Sequence, residues 1–330
     1  MSISLQDYLN RWAGDQIDRV NIARTVMAIA DATMAIADIV SHGALGGDDL
    51  GATRGGANAD GDLQKELDVR TDEIIQDRLS KAPVAAYASE ENDGVLPMVK
   101  GAPLLVAVDP LDGSSNIDTN VSIGTIFSVL PVKAGVDPTA PESFMRAGRE
   151  QVAAGYSIYG PQTSLVVTVG DGTAIFTFDR NRHTYIQVKA RASVPPQARE
   201  FAINMSNHRH WEEPIRRYID DLLDGHEGPN KVSYNMRWVG SMVADAHRIL
   251  IRGGIFLYPG DRRKGYQHGR LRLIYEGNPI AFVMEQAGAG ASDGMTRILD
   301  IEPTALHQRT PLVFGSAEKV KKVATYVGAH

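Results

Sequence analysis

The run Leu104-Leu-Val-Ala-Val108 has no polar side chain to present to water. A strand of that composition is buried on both faces, so the sheet that contains it must be covered on each side. The chain continues directly into Asp109-Pro-Leu-Asp112-Gly-Ser-Ser-Asn116. A fully buried strand that ends in two carboxylates three residues apart delivers both to a sheet edge, where ligands bind in α/β folds. Two like charges held together out of water are costly unless something positive lies between them. A divalent cation is the simplest resolution. Gly113-Ser114-Ser115 then adds successive backbone N–H groups and two hydroxyls, the parts of an anion cradle. The plainer alternative is a strand followed by an Asx-type turn with no ligand.

The rest of the chain alternates helical and strand patterns. Ile17, Val20, Met27, Ala30, Met34 and Ala37 predict a helix over 16–42, with Gly43 as its C-cap. Residues 44–61 are rich in Gly, Ala and Asp and read as a mobile loop. A second helix is expected over 63–79. Strands are expected over 121–130, 165–169, 173–178, 255–258 and 271–275. Helices are expected over 211–223, over 241–251 with Ser241 as N-cap, and from Asn278-Pro279 to Gly288. Pro195-Pro196 marks the best boundary, giving an N-terminal domain 1–194 and a C-terminal domain 195–330. This is a layered α/β pattern.

Further acids sit at corresponding places. Ser89-Glu90-Glu91 comes after a short strand-like segment, Asp62 and Asp68 flank the start of the second helix, and Tyr275-Glu276 ends the expected strand 271–275. Any one of these reads as a solvated acidic turn or as acids at a helix N-terminus. Together they are harder to dismiss. The 330-residue chain has no cysteine, so thiolate zinc sites, iron–sulfur clusters and a Cys nucleophile are excluded. Metal ligation falls to oxygen or imidazole, and oxygen ligands point to Mg²⁺, Mn²⁺ or Ca²⁺. A net charge of −6 argues against a nucleic-acid partner. No apolar stretch is long enough to span a membrane, and the N-terminus does not read as a signal peptide, so a cytoplasmic location is expected.

These motifs, with Gly240-Ser-Met-Val-Ala-Asp-Ala-His247, Leu271-Arg-Leu-Ile-Tyr-Glu-Gly-Asn-Pro279 and Pro303-Thr-Ala-Leu-His-Gln-Arg309, resemble class I fructose-1,6-bisphosphatases along nearly the whole chain. The resemblance implies an αβαβα sandwich of two mixed sheets between helix layers. It implies Mg²⁺-dependent hydrolysis of the 1-phosphate of a sugar bisphosphate, in gluconeogenesis or the Calvin cycle. About two to three Mg²⁺, or Mn²⁺ in their place, would be held by Glu90, Asp109, Asp112, Glu276 and the Leu111 carbonyl. Asp62 would be the loop acid closing over a further metal position, and Glu91 and Asp68 the pair that takes a proton from the attacking water. Gly113, Ser114 and Ser115 would hold the 1-phosphate with Arg272 nearby. Asn204, Met242, Tyr258, Arg270 and Asp112 would contact the sugar and 6-phosphate. Arg237 would reach a neighbouring active site, implying a homotetramer.

The chain also departs from that pattern. Arg270 stands where the family usually has a Lys, and Asn207 and Trp238 replace two tyrosines, with His208 and His210 close by. Pro103-Leu104 and Leu130-Pro131 occupy the places of the cationic contacts to AMP. These departures leave two rivals: a broader enzyme that also takes sedoheptulose 1,7-bisphosphate, and a non-catalytic sugar-phosphate or metal-binding protein of the same fold. Retention of all the acids weighs against the second.

Overall fold

The computed structural model of the chain describes residues 3–43, 53–57 and 63–328. Helices α1 (Leu5–Ala13) and α2 (Ile17–His42) come first, and Gly43 at φ +49° stops α2 as its sequence predicts. A small antiparallel ribbon, β1 (Thr53–Ala57) and β2 (Leu63–Lys65), leads into α3 (Glu66–Leu79). The next strands are β3 (Val84–Ser89), β4 (Val95–Pro97), β5 (Leu104–Asp112), β6 (Ile123–Pro131), β7 (Ala153–Tyr159), β8 (Thr163–Thr168), β9 (Thr173–Asp179) and β10 (Thr184–Lys189). They form one eight-stranded sheet in the order β10-β9-β8-β7-β6-β5-β3-β4, antiparallel except where β3 lies beside β5.

The remainder comprises β11 (Glu200–Ala202), α4 (Glu213–Leu223), β12 (Asn235–Met236), α5 (Met242–Arg252), β13 (Ile255–Tyr258), β14 (Leu271–Arg272), a π-helical turn Leu273–Gly277, α6 (Asn278–Gln286), β15 (Ala289–Ser292), β16 (Arg309–Thr310), β17 (Leu312–Ser316) and α7 (Ala317–Val327). The second sheet has the order β12-β11-β13-β17-β15 and is also mixed.

Strand alternation sorts the side chains into five layers. Phe127 and Val129 of β6 face α1, α2 and α3, while Ile126 points the other way. Ile126, Tyr156 and Val166 meet α5 and α6 through Met242, Val243, Ile280 and Val283. Phe256 and Phe314 of the second sheet close that layer, stacked with centroids 4.7 Å apart. On the sheet's far face Ile255, Leu257 and Val313 meet α4 and α7. This is the expected αβαβα sandwich, and α5 and α6 lie between the sheets. Each large side chain buried this way contributes about 1.5–3 kcal/mol.

Three expectations are corrected. The second helix begins at Glu66, because Leu63–Lys65 pairs as a strand. β5 does not stop at Val108. It runs through both acids to Asp112, with its pairing to β6 broken between Asp109 and Asp112 where Pro110 cannot donate. Leu271–Tyr275 is not one strand: β14 ends at Arg272, and Tyr275 and Glu276 lie in the π-helical turn. A short apolar run buried all round does not distinguish strand from helix by period. Of the segment 44–61, residues 53–57 form β1 and the others lie outside the described residues.

Candidate active site

Strand register assembles the acids. β3 and β5 run parallel with Ser89 beside Val108, so Glu90, which exits the sheet as the residue after β3, comes beside Asp109, which continues in β5. The Glu90 N–H donates to the Val108 carbonyl at 3.0 Å and fixes that exit. The π-helical turn brings in Glu276. Among the described residues these three form the cluster with ligand oxygens within 4.8 Å of one another. Asp109 and Glu276 are buried. Burial pushes the Asp109 carboxyl well up, and the charges of Glu90, Glu276, Asp112 and Glu91 add to it. Burial and Glu90 raise Glu276, while Arg272 opposes the rise.

Arg272 lies among these acids. Its guanidinium pairs with Glu90, and its backbone N–H donates to Glu276 Oε2 at 2.5 Å. Asp109 Oδ1 accepts the Leu111 N–H at 3.0 Å, so the Asx turn of the plainer alternative is present alongside the acid cluster. An all-oxygen, mostly buried set of carboxylates that raise one another's pKa is the donor set a hard divalent cation takes. The residues present therefore fit such an ion.

Asp112 is held differently. Its carboxylate accepts the Ser241 hydroxyl at 2.8 Å and the N–H groups of Met242 and Val243 at 3.2 and 2.9 Å. The N-terminus of α5 thus points at this acid, an arrangement its dipole favours. Burial raises the Asp112 pKa and these donors work against the rise. Gly113 lies at φ +80°, and a Cβ there would come 2.8 Å from the Ser241 Cβ, so only glycine lets the turn approach α5. Ser114 and Ser115 begin a 3₁₀ turn just beyond it. Asp68 is buried on α3. Glu91 sits half-buried in the turn after β3, its N–H donating to Ser89 Oγ at 3.2 Å. Asp62 lies outside the described residues.

Beside the acids is a cavity of about 440 Å³, lined by Asp112, Ser115, Asn204, Trp238, Met242 and Tyr258 among others. Trp238 stacks on Phe256, with planes 17° apart, and forms an aromatic wall with Tyr258. The Arg270 guanidinium lies 3.8 Å above the Tyr266 ring, and burial raises the Tyr258 hydroxyl's pKa while Arg270 opposes the rise. Asn204 Oδ1 accepts from the Ser206 N–H and hydroxyl. Asn207 Oδ1 accepts from Arg263 at 2.9 Å, and His208 is engaged with Asp220 at 2.8 Å. Burial and the cations Arg263 and Arg209 pull the His210 pKa down. Arg237 is exposed, its backbone N–H bound to the Phe201 carbonyl and its Nη1 donating to the Met236 carbonyl.

Sequence reasoning missed two contributors. Ser241 is the N-cap of α5 as read, but its hydroxyl caps no backbone N–H of the helix and donates instead to Asp112. Nothing was assigned to Asp245, which accepts the N–H groups of Val239 and Gly240 and so holds the chain around Trp238. Burial pushes that carboxyl up to about 6. An Asp four residues after an N-cap Ser was the available signal.

The chain matches the family model described as fructose-1-6-bisphosphatase, N-terminal domain, over residues 13–190, and the corresponding C-terminal domain over 194–328. It is 53% identical to a protein of Azorhizobium caulinodans named fructose-1,6-bisphosphatase class 1, over 98% of this chain and 99% of that one. It is also 53% identical to the protein of that name from Rhizobium meliloti, over 95% and 89% of the two chains. Among solved structures, the holo form of Leishmania major fructose-1,6-bisphosphatase superposes with a TM-score of 0.92 at 34% identity, covering 99% of each chain. The family model, the relatives and the buried acids at the β3/β5 edge agree, and the chain belongs to the class 1 fructose-1,6-bisphosphatase family.

Proposed function

We propose that this chain hydrolyses the 1-phosphate of D-fructose 1,6-bisphosphate, giving fructose 6-phosphate and inorganic phosphate. The observation that carries the reading is the convergence of Glu90, Asp109 and Glu276 beside a Gly113-Ser-Ser115 turn and a sugar-sized cavity.

Divalent ions, Mg²⁺ by preference with Mn²⁺ as a substitute, would be held by Glu90, Asp109 and Glu276, with Asp112 and the Leu111 carbonyl completing the set. When bound they lower the pKa of water and neutralise charge on the leaving oxygen. The serine hydroxyls and backbone N–H groups of the 113–115 turn orient the 1-phosphate. Glu91 and Asp68 accept the proton of the attacking water, and Asp62 closes the site. Asp112 spans two tasks: it faces the acids, and through Ser241, Met242 and Val243 it fixes α5 against the phosphate turn. Arg270, Tyr258, Asn204 and the Met242 backbone hold the sugar and the distal phosphate. Arg272 balances the acid cluster through Glu90 and Glu276.

Arg237, exposed just past the edge strand β12, would serve a neighbouring subunit, and the active form would be a homotetramer. Among the described residues no helix is long and apolar enough to cross a membrane. The enzyme works in the cytoplasm on sugar phosphates of gluconeogenesis or the Calvin cycle. Phosphate release from fructose 1,6-bisphosphate, with and without Mg²⁺, tests the reading. Metal-dependent turnover is expected, and absence of release in saturating Mg²⁺ overturns it. Light scattering that finds an active species of one 35.8 kDa chain removes the shared-site claim.

A further inference from the structure

Asp72 lies one turn beyond Asp68 on α3 and is buried, yet it is not one of the acids of the site. Its Oδ1 accepts the Tyr87 hydroxyl at 2.5 Å. Its Oδ2 accepts the side-chain amides of Asn92 at 3.0 Å and Gln76 at 2.6 Å. Tyr87 is on β3, three residues before Glu90, and Asn92 comes directly after Glu91. The Asn92 carbonyl meets His307 Nε2 at 3.0 Å. The His307 ring packs against Tyr275, centroids 5.2 Å apart, and Tyr275 adjoins Glu276. One connected path therefore ties α3, which carries Asp68, to the turn carrying Glu90 and Glu91 and to the π-helical turn carrying Glu276.

The polarity of this path is set. Burial, and then the charge of Asp72, push the Tyr87 hydroxyl well above its ordinary pKa, so it remains a donor. A hydrogen bond to a carboxylate is stronger than one between neutral groups. The turn after β3 is anchored to the sheet by the Glu90 N–H to Val108 bond. The Asn92 to Asp72 bond is its anchor in the other direction, toward α3.

We infer that Asp72 and Asn92 form a clamp that sets Glu91 relative to Asp68, and that both are positioning residues for the hydrolysis. The inference rests on the proposal that Glu91 and Asp68 take the proton from water. Misplacement of a reacting group by about 1 Å costs on the order of a hundredfold in rate.

The experiment uses the full chain in saturating Mg²⁺, with kcat, KM and melting temperature measured for each variant. Asn92→Asp sets two carboxylates face to face, and kcat is expected to fall about a hundredfold with KM within about threefold of wild type. Asp72→Asn alone is expected to give a smaller loss of kcat. The double exchange Asp72→Asn with Asn92→Asp restores a carboxylate–amide bond of reversed direction, and kcat is expected to recover to within about fivefold of wild type. A structural role alone would lower the melting temperature without splitting kcat from KM. If the double exchange is no faster than Asn92→Asp, or if Asn92→Asp and Asn92→Ala both turn over normally, the clamp is wrong. Glu91→Gln serves as the control. If it keeps full activity, the proton-accepting reading fails; if it is inactive while the Asn92 variants are unimpaired, only the clamp fails.

Discussion

The acid edge and the sugar pocket touch, yet they are built by different means. The acid edge grows from the interior of the eight-stranded sheet, where the β3/β5 register leaves Glu90 and Asp109 little choice of position. The pocket is assembled from a short strand, a 3₁₀ turn and loops around Asn204, Trp238, Tyr258 and Arg270. The first holds buried like charges and needs a cation. The second holds an aromatic wall and a stacked guanidinium that are satisfied as they stand. Chemistry set by sheet register admits few substitutions, whereas a pocket made of loops can exchange its side chains more freely.

That contrast predicts where activity is most fragile. Asp109→Asn removes one buried charge from the metal acids, and kcat is expected to fall by about a hundredfold to a thousandfold, the scale of losing one preorganised electrostatic group. Glu276→Gln should behave alike. A variant of either that keeps more than about a tenth of wild-type kcat, less than ~1.4 kcal/mol of lost barrier lowering, breaks the assignment. Asp112→Asn sharpens the comparison because Asp112 joins the two regions. It should lower kcat and, through its bonds to Ser241, Met242 and Val243, also raise KM.

Removing the metal comes next in size and is read in stability. Asp109 and Glu276 have ordinary pKa values of 3.8 and 4.5, and both are raised well above them in the fold. A raised value means the folded chain binds protons that the unfolded chain has released. Their stabilisation is complete below about pH 4 and is lost as pH rises through the raised values. Chelated protein should therefore lose stability from these groups as pH climbs from about 4 to neutral. Mg²⁺ should cancel the loss, so the melting-temperature gap between Mg²⁺-loaded and chelated protein widens with pH. A gap that is constant or narrows across that range contradicts a buried acid cluster as the metal site.

The legible and illegible parts of the molecule divide along the same line. Helix α2 up to Gly43, strand β5 and the Asp109/Asp112 pair could be read because each depends on neighbours in sequence or on a period. Glu276 was read as following a strand and lies instead in the π-helical turn, because Leu273, Ile274 and Tyr275 are apolar and buried whichever way the chain winds. The pairing of Arg272 with Glu90, 182 residues away, was not read from the sequence. No local pattern encodes a contact of that separation. The Asp72–Asn92 bond was hidden for the same reason, although Asp72 sits one helical turn from Asp68, on the same face.

The pocket should respond by smaller steps. Arg270→Lys keeps the charge but gives up the planar contact with Tyr266 at 3.8 Å. A stacked guanidinium contributes about 1 kcal/mol, so KM for fructose 1,6-bisphosphate is expected to rise about fivefold with kcat within about twofold. Trp238→Tyr keeps an aromatic ring beside Phe256 and should change KM by less than that. If Arg270→Lys lowers kcat as strongly as it raises KM, the pocket shares in the chemistry and the division between the regions fails.

The smallest expected effect is none at all, and it concerns AMP. A nucleotide phosphate is held by backbone N–H groups and charged donors, and charge-assisted contacts are the strong ones. Pro103 has no N–H, and its carbonyl is already bound by the Val132 N–H at 2.8 Å. Leu104 is buried and paired across the sheet with Pro131. Two of the nearby cations are engaged: Lys133 pairs with Glu150 at 2.9 Å, and Arg146 holds Glu150 while donating to the Pro131 carbonyl at 2.6 Å. Recruiting either would break an existing ion pair, and each absent charged contact forgoes about 1.5–3 kcal/mol. Several such losses weaken binding by orders of magnitude. Activity at saturating Mg²⁺ is therefore expected to stay flat as AMP is raised to millimolar levels. Cooperative inhibition at micromolar AMP, noncompetitive with substrate, would show that donors elsewhere in the chain have replaced those missing at positions 103, 104, 130 and 131.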